Sequence, residues 1–283
     1  MHAIVCIKQV PDTAEVRIDP KTNTLIREGV PTIVNPYDIH AVEEALRLRD
    51  RFGGKVTVIS MGPPQATEAI RKCIALGADE GILLTDRAFA GADTLATSYA
   101  LAQAIQHLAE REPYDIVFCG KQAIDGDTGQ VGPGIARRLG IPQLTYVLQI
   151  DSFDPAAREV VVQRKLERGR QIVRAKLPAL LTVLKEINEL RYSAFPDMLR
   201  ARSYEPRIWT VADLDVDRSQ LGLKGSPTRV RKTTVPTPRQ AGEIIAPATV
   251  APEQAAQRLL EQFEKTGVLK EIVELTGGNA AHA

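Results

Sequence analysis

Tyr114-Asp115-Ile116-Val117-Phe118-Cys119 is a short apolar run with sharp polar borders, the pattern of a strand buried in a parallel sheet. It runs directly into Gly120-Lys121-Gln122-Ala123-Ile124-Asp125-Gly126-Asp127-Thr128-Gly129-Gln130-Val131-Gly132-Pro133, after which Val131, Ile135 and Leu139 recur at helical spacing. A strand, a glycine-rich polar loop and a helix in that order narrow the folds to an open α/β sheet. In such a sheet, ligands settle outside the carboxyl ends of the strands. The glycines let backbone approach a ligand, and the helix start offers unpaired N–H groups to an anion such as a phosphate. Gln122, Asp125, Asp127, Thr128 and Gln130 add short polar side chains suited to a ribose or a base. The loop matches neither G-x-G-x-x-G nor G-x-x-x-x-G-K-[ST]. On residues alone, a tight surface loop with polar decoration is the competing account.

The rest of the chain supports the same fold class, a doubly wound, mostly parallel α/β sheet. Ala3-Ile4-Val5-Cys6-Ile7 reads as a strand, and the alternation from Glu15 to Arg27 as an inserted β-hairpin. Asn35-Pro36-Tyr37-Asp38 opens a helix with Ile39, Val42 and Leu46 on one face, where capping explains part of Asn35 and Asp38. Residues 55–60 and 81–85 are core strands, and Ser60-Met61-Gly62-Pro63 is the turn between the first of them and a helix that ends at Gly77. Asp93 caps a further helix. From Thr145 to residue 184 the pattern predicts an antiparallel extension, made basic by Arg164, Lys165, Arg168, Arg170, Arg174 and Lys176. A solvated strand face accounts for those charges, and Arg164 or Lys165 reaching toward a phosphate or flavin is the sharper alternative. In residues 186–207, Phe195, Pro196, Met198 and Leu199 form an exposed apolar tip with charged flanks, a candidate docking element. The segment 221–252 is rich in proline and basic residues and reads as an extended arm. It leads to an amphipathic helix over 252–266 carrying Leu259, Leu260 and Phe263, so we expect a nucleotide-binding domain over 1–221 and an appendage over 222–283.

Composition excludes several classes. Thirty-six basic residues against 35 acidic ones leave a net charge of +1, so no global field favours nucleic acid or membrane. Cys6, Cys73 and Cys119 lie far apart in apolar segments, the usage of reduced core thiols in a cytoplasmic protein. His2, His40, His107 and His282 show no metal-ligand spacing. No apolar run has transmembrane length, and no signal peptide is expected.

The motifs taken together resemble the β subunit of the electron transfer flavoprotein family, which includes FixA. Gly120-Lys121-Gln122-Ala123-Ile124-Asp125 is similar to that family's nucleotide-binding loop, and Val5-Cys6-Ile7-Lys8-Gln9-Val10 to its first strand. Asn35-Pro36-Tyr37-Asp38 and Ser60-Met61-Gly62-Pro63 are similar to its other nucleotide-contacting segments. The run from Val162 to Gln171, continued by Leu177-Pro178-Ala179-Leu180-Leu181-Thr182, resembles the subunit signature, with Arg168 where an acidic residue or glycine is usual. Arg191-Tyr192-Ser193-Ala194-Phe195-Pro196 resembles the recognition loop, with Phe195 where an apolar anchor enters a partner dehydrogenase.

The resemblance implies a cofactor set around Cys6, Lys8, Asn35, Pro36, Tyr37, Asp38, Ser60, Met61, Gly62, Gly120 to Ala123 and Asp125 to Val131. Conventional members follow Ala-Ile-Asp with Asp-Asp and hold AMP. Here Asp125-Gly126-Asp127-Thr128 resembles the electron-bifurcating and FixA-like members, which hold a second FAD, although Gly129 stands where alanine is expected. The function implied is that of a heterodimer with an FAD-bearing α subunit. NADH would be the donor, and ferredoxin or flavodoxin the low-potential acceptor. An acyl-CoA-type or other flavin dehydrogenase, or a quinone oxidoreductase, would be the second acceptor. Two alternatives stand beside this: a conventional carrier with AMP, and a free-standing ATP-binding module of similar architecture. No acid–base dyad or nucleophile stands out, and none is needed, because the cofactor carries the chemistry.

Overall fold

The computed structural model describes residues 1–12, 31–231 and 251–277, with side chains as far as Ile272. The elements run β1 (His2–Ile7), β2 (Gln9–Pro11), β3 (Thr32–Val34), α1 (Pro36–Phe52), β4 (Lys55–Met61), α2 (Thr67–Leu76), β5 (Glu80–Leu84), α3 (Thr94–Ala109), β6 (Ile116–Gly120) and α4 (Val131–Leu139). They continue with β7 (Gln143–Asp154), β8 (Glu159–Lys165), β9 (Arg170–Lys176), β10 (Ala179–Val183), α5 (Phe195–Arg202), β11 (Arg207–Trp209), α6 (Pro252–Thr266) and α7 (Val268–Gly277).

Among the described residues, nine strands form one sheet in the order β11-β5-β4-β1-β6-β10-β7-β8-β9. All neighbours from β11 to β7 are parallel, and the β7–β8 and β8–β9 pairs are antiparallel. Every residue of β1 and β6 is buried, as continuous apolar runs between two helical layers must be. The core on one face collects α1 and α2, and that on the other collects α3 and α4. Winding reverses between β1 and β6, since β4 and β5 extend one way from β1 and β6 lies on the other side. The loop after β6 therefore sits at the switch point, where a crevice opens.

Two strands differ from expectation. β10 belongs to the parallel core between β6 and β7 and not to the antiparallel extension. Its sequence gives the reason: Ala179-Leu180-Leu181-Thr182-Val183 is buried throughout and shows no alternation. β11 adds a parallel edge strand beside β5, too short to be read from sequence. The expected ends of helices are present. Asp93 accepts from the N–H groups of Leu95 at 2.9 Å and Ala96 at 3.1 Å, and Gly77 takes a left-handed conformation with φ of 115°. The expected Glu15–Arg27 hairpin lies outside the described residues. The adjoining segments pair as the antiparallel strands β2 and β3.

Contacts divide the chain into two units, Met1–Thr234 and Val235–Ala283. In the first, Leu221 is buried, and Ser226 and Thr228 both bond Asp93. Most of the proline-rich segment 221–252 lies outside the described residues. The second unit contains α6, at the expected position, packed on α7. Leu259 and Leu260 on α6 are about half exposed, at 48% and 49%.

Candidate functional site

The loop after β6 is fixed from behind by the first turn of α1. Asn35, fully buried, has no capping bond to its own helix. Its Nδ2 donates to the Gln122 carbonyl at 2.8 Å, and its Oδ1 accepts from the Ile124 N–H at 3.1 Å. Asp38, also buried, accepts from the Lys8 N–H at 2.8 Å and from the Gly120 N–H at 3.0 Å. Burial raises the Asp38 carboxyl to about 7, against the bonds from Asn35, Lys8 and Gly120 that pull it down. Pro36 occupies the first helical turn, where its missing N–H costs nothing. Gly120 is obligatory, because any Cβ there would fall on the Asp38 carboxylate and on Tyr37.

The outer surface of the loop is polar and open. Asp125, Gly126, Asp127, Thr128 and Gln130 are exposed, while Lys121, Gln122, Ala123, Gly129 and Val131 are half-buried. Lys8 Nζ bonds both carboxylate oxygens of Asp125 at 2.7 Å, tying the end of β1 to the loop. Gln122 Nε2 donates to Asp127 at 2.6 Å, and Thr94 Oγ1 donates to Gln130 Oε1 at 2.8 Å. Asp127 and Gly129 both have positive φ, 50° and 63°, so the chain turns sharply before entering α4. Gln130 makes no capping bond, which leaves the first N–H groups of α4 free of a side-chain partner.

β4 contributes Ser60, Met61 and Gly62 at its carboxyl end. Ser60 is 1% exposed, and its hydroxyl has no hydrogen-bond partner among the described residues. The Gly62 N–H is already used by the Leu84 carbonyl at 3.0 Å. Cys6 and Cys119 are register partners on β1 and β6. The bond to Cys6, with burial, holds the Cys119 thiol well above its ordinary range, so it stays protonated and is no nucleophile. A buried hydroxyl without a partner, an uncapped helix start and a loop of exposed hydroxyl, amide and carboxylate groups fit a phosphate-bearing nucleotide. A Cβ on Gly126 would meet nothing within 4 Å, so the space beside it is open. Among the described residues no cluster could hold a metal ion, and no helix is long and apolar enough to cross a membrane.

A second set of residues lies along α1. Arg191 bonds Glu43 through Nε at 2.8 Å and Nη2 at 3.2 Å, and reaches Asp50 at 2.8 Å. Asn188 donates to Glu44 at 2.9 Å and to the His40 carbonyl at 3.0 Å. Burial raises the Glu44 carboxyl, with Asn188 opposing it. These bonds hold the base of the segment that leads into α5, whose Arg200 donates to the Ala78 carbonyl at 2.8 Å beyond the end of α2. The tip stands in solvent: Phe195 is 71% exposed, Pro196 is exposed, and Met198 and Leu199 are 52% and 54% exposed. The pairing of Arg191 with Glu43 escaped the sequence reading. Its signal was a carboxylate at residue 43, four residues after Ile39, on the apolar face of a helix.

A third feature left no sequence signal. Between Leu144 and Val147 the β7 strand carries one residue more than its β10 partner, a β-bulge. Arg164 holds it, with Nε on the Thr145 carbonyl at 2.7 Å and Nη2 on Thr145 Oγ1 at 2.6 Å. Arg164 thus serves the bulge. Lys165 pairs with Glu186 at 3.1 Å.

The comparisons with known proteins agree with this geometry. A family profile described as Electron transfer flavoprotein domain matches residues 22–214. Protein FixA of Azotobacter vinelandii is 51% identical over 265 residues, covering 93% of this chain and 94% of that one. Electron transfer flavoprotein subunit beta of Thermoanaerobacterium thermosaccharolyticum is 54% identical over 270 residues, covering 95% and 100%. The subunit of the same name from Clostridium acetobutylicum is 52% identical over 263 residues, covering 93% and 99%. The free-standing ATP-binding module is thereby set aside, and the chain belongs to the electron transfer flavoprotein family as a β subunit of the FixA-like kind.

Proposed function

We propose that this chain pairs with an electron transfer flavoprotein α subunit, holds FAD in the crevice beside residues 120–131, and takes part in bifurcating electrons from NADH. The observation that carries the reading is the loop itself. Asp125-Gly126-Asp127-Thr128 is exposed, open at Gly126, and leads into an uncapped helix start, whose N–H groups would favour a pyrophosphate. The flavin, when bound, would supply the two-electron and one-electron chemistry. This chain would bind and orient it. Its Asn35 and Asp38 supports would keep the loop backbone in place, and Lys8 would stand ready to move from Asp125 to a phosphate oxygen. Ser60 Oγ would find in the ligand the partner it lacks. One electron would pass to ferredoxin or flavodoxin, and the other through the α-subunit flavin to a dehydrogenase or quinone oxidoreductase that engages Phe195, Met198 and Leu199. The unit after residue 234 would serve the α subunit.

Cofactor extraction from the purified heterodimer, reconstituted with excess FAD, tests the reading. Two FAD per αβ pair is expected. One FAD with one AMP would identify a conventional carrier.

A further inference from the structure

We propose that Tyr146 is the centre of a docking site for the acidic face of a one-electron carrier protein. Tyr146 has φ of 59°, a conformation that a bulky aromatic residue adopts only when its surroundings force it. Among the described residues the other non-glycine positions with positive φ are Asp127, in the loop after β6, and Arg158, in the turn between β7 and β8, whereas Tyr146 lies inside β7. The β-bulge, tied down by Arg164, imposes that conformation, and the Tyr146 N–H bonds Thr182 Oγ1 at 3.2 Å. Even so held, Tyr146 keeps 42% of its surface exposed. A β-bulge that spends backbone strain to hold an aromatic ring in solvent is the arrangement of a contact surface.

The surroundings specify the partner. Lys121 Nζ lies 5.2 Å from the Tyr146 ring centroid and 5.9 Å from that of Tyr37, and Lys185 Nζ lies 4.9 Å from the Tyr37 ring. Arg164 adds a third positive charge while bonded to neutral groups of Thr145, and Lys165 is paired with Glu186, whose carboxyl is held below its ordinary range by a backbone bond and by Lys165. The whole chain carries only +1, so this is a local concentration of positive charge around two aromatic rings. Aromatic residues inside a ring of cations attract an acidic protein surface and give it a flat contact at the centre. Lys121 also belongs to the loop after β6, so a carrier seated here would lie beside the crevice. The site rests on the proposed function, in which single electrons leave for an acidic carrier.

The test is direct binding of oxidised ferredoxin, an acidic iron–sulfur protein, to the purified αβ complex at low and moderate ionic strength. Wild type should bind at low ionic strength and weaken as salt rises. Tyr146→Gly and Lys185→Glu should each weaken binding roughly tenfold, and Lys185→Glu should also flatten the salt dependence. Glycine relieves the positive φ, so Tyr146→Gly should leave the thermal unfolding midpoint unchanged or raise it. Wild-type affinity in both variants, or no binding by wild type, would overturn the proposal. So would a lowered unfolding midpoint or loss of α-subunit association in Tyr146→Gly, which would make the residue a packing or subunit contact. Flavin content in the same samples separates the two readings. One FAD and one AMP with ferredoxin still bound through Tyr146 would keep the docking site and sink bifurcation.

Discussion

The loop after β6 and the segment leading into α5 both hang from α1, yet they are held by opposite chemistry. Asn35 and Asp38 support the loop with buried side chains that reach the backbone of Gln122, Ile124, Lys8 and Gly120. Glu43, Glu44 and Asp50 hold the other segment largely through charged and amide side chains, half-buried at its base. Backbone-directed bonds fix where main-chain atoms lie, as a site that binds through N–H groups requires. Side-chain ion pairs fix only the root and leave the tip, Phe195 to Leu199, presented to solvent. One helix thus backs a stiffly held loop at its start and the root of a projecting tip along its length.

The sharpest way to break that contrast is to titrate Asp38. Its folded-state value of about 7 lies above the ordinary 3.8, so its contribution to stability is complete below pH 4 and is lost as pH rises through 7. The interval corresponds to roughly 4 kcal/mol. Urea unfolding of wild type and Asp38→Asn from pH 4 to 8 should therefore give curves that diverge, with wild type losing stability relative to the variant as pH rises. Parallel curves would mean that the two N–H donors cancel the effect of burial.

Removing the other support should cost less. Asn35→Ala leaves the Gln122 carbonyl and the Ile124 N–H without partners, at about 1–3 kcal/mol by denaturant unfolding. Nucleotide affinity of the αβ complex should fall at least about tenfold, since each 1.4 kcal/mol spent on reordering the loop is a factor of ten. Unchanged affinity would show that the loop keeps its shape without the strap.

Arg191→Ala is the counterpart on the projecting side. Glu43 is only 3% exposed at its side chain but keeps Arg47 at 3.1 Å, so the loss should be about 1–2 kcal/mol, below that of an isolated buried pair. Nucleotide affinity, followed by titration with FAD, should stay as in wild type. A fall matching that of Asn35→Ala would show that α1 transmits strain from one segment to the other.

The parallel core was legible because strands such as Ala3 to Ile7 and Ile116 to Gly120 are apolar without interruption, and the loop because its glycines and carboxamides stand together. β10 was misassigned to the antiparallel extension because its chain neighbours are strands, while its place in the sheet is decided by burial on both faces. Asn35 and Asp38 were read as ligand-facing and partly as caps, yet their side chains bond backbone 82 to 89 residues further along and, at Lys8, 30 residues back, a relation that no local pattern encodes. Tyr146 was invisible, since a positive φ in a tyrosine depends on a bulge set by β10 and Arg164.

Gly120 has a consequence for anyone wishing to move this loop into another protein. Its missing side chain makes room for the carboxylate of Asp38 and the body of Tyr37, so strand and helix touch where no other residue would let them. The motif that begins at Gly120 is therefore half of a lock whose other half was written at Asn35 to Asp38. Grafted alone, residues 120–133 would carry their polar groups but lose the backing that orients them. A transplant that keeps function must carry both pieces, and a search for kindred sites should look for both halves at once.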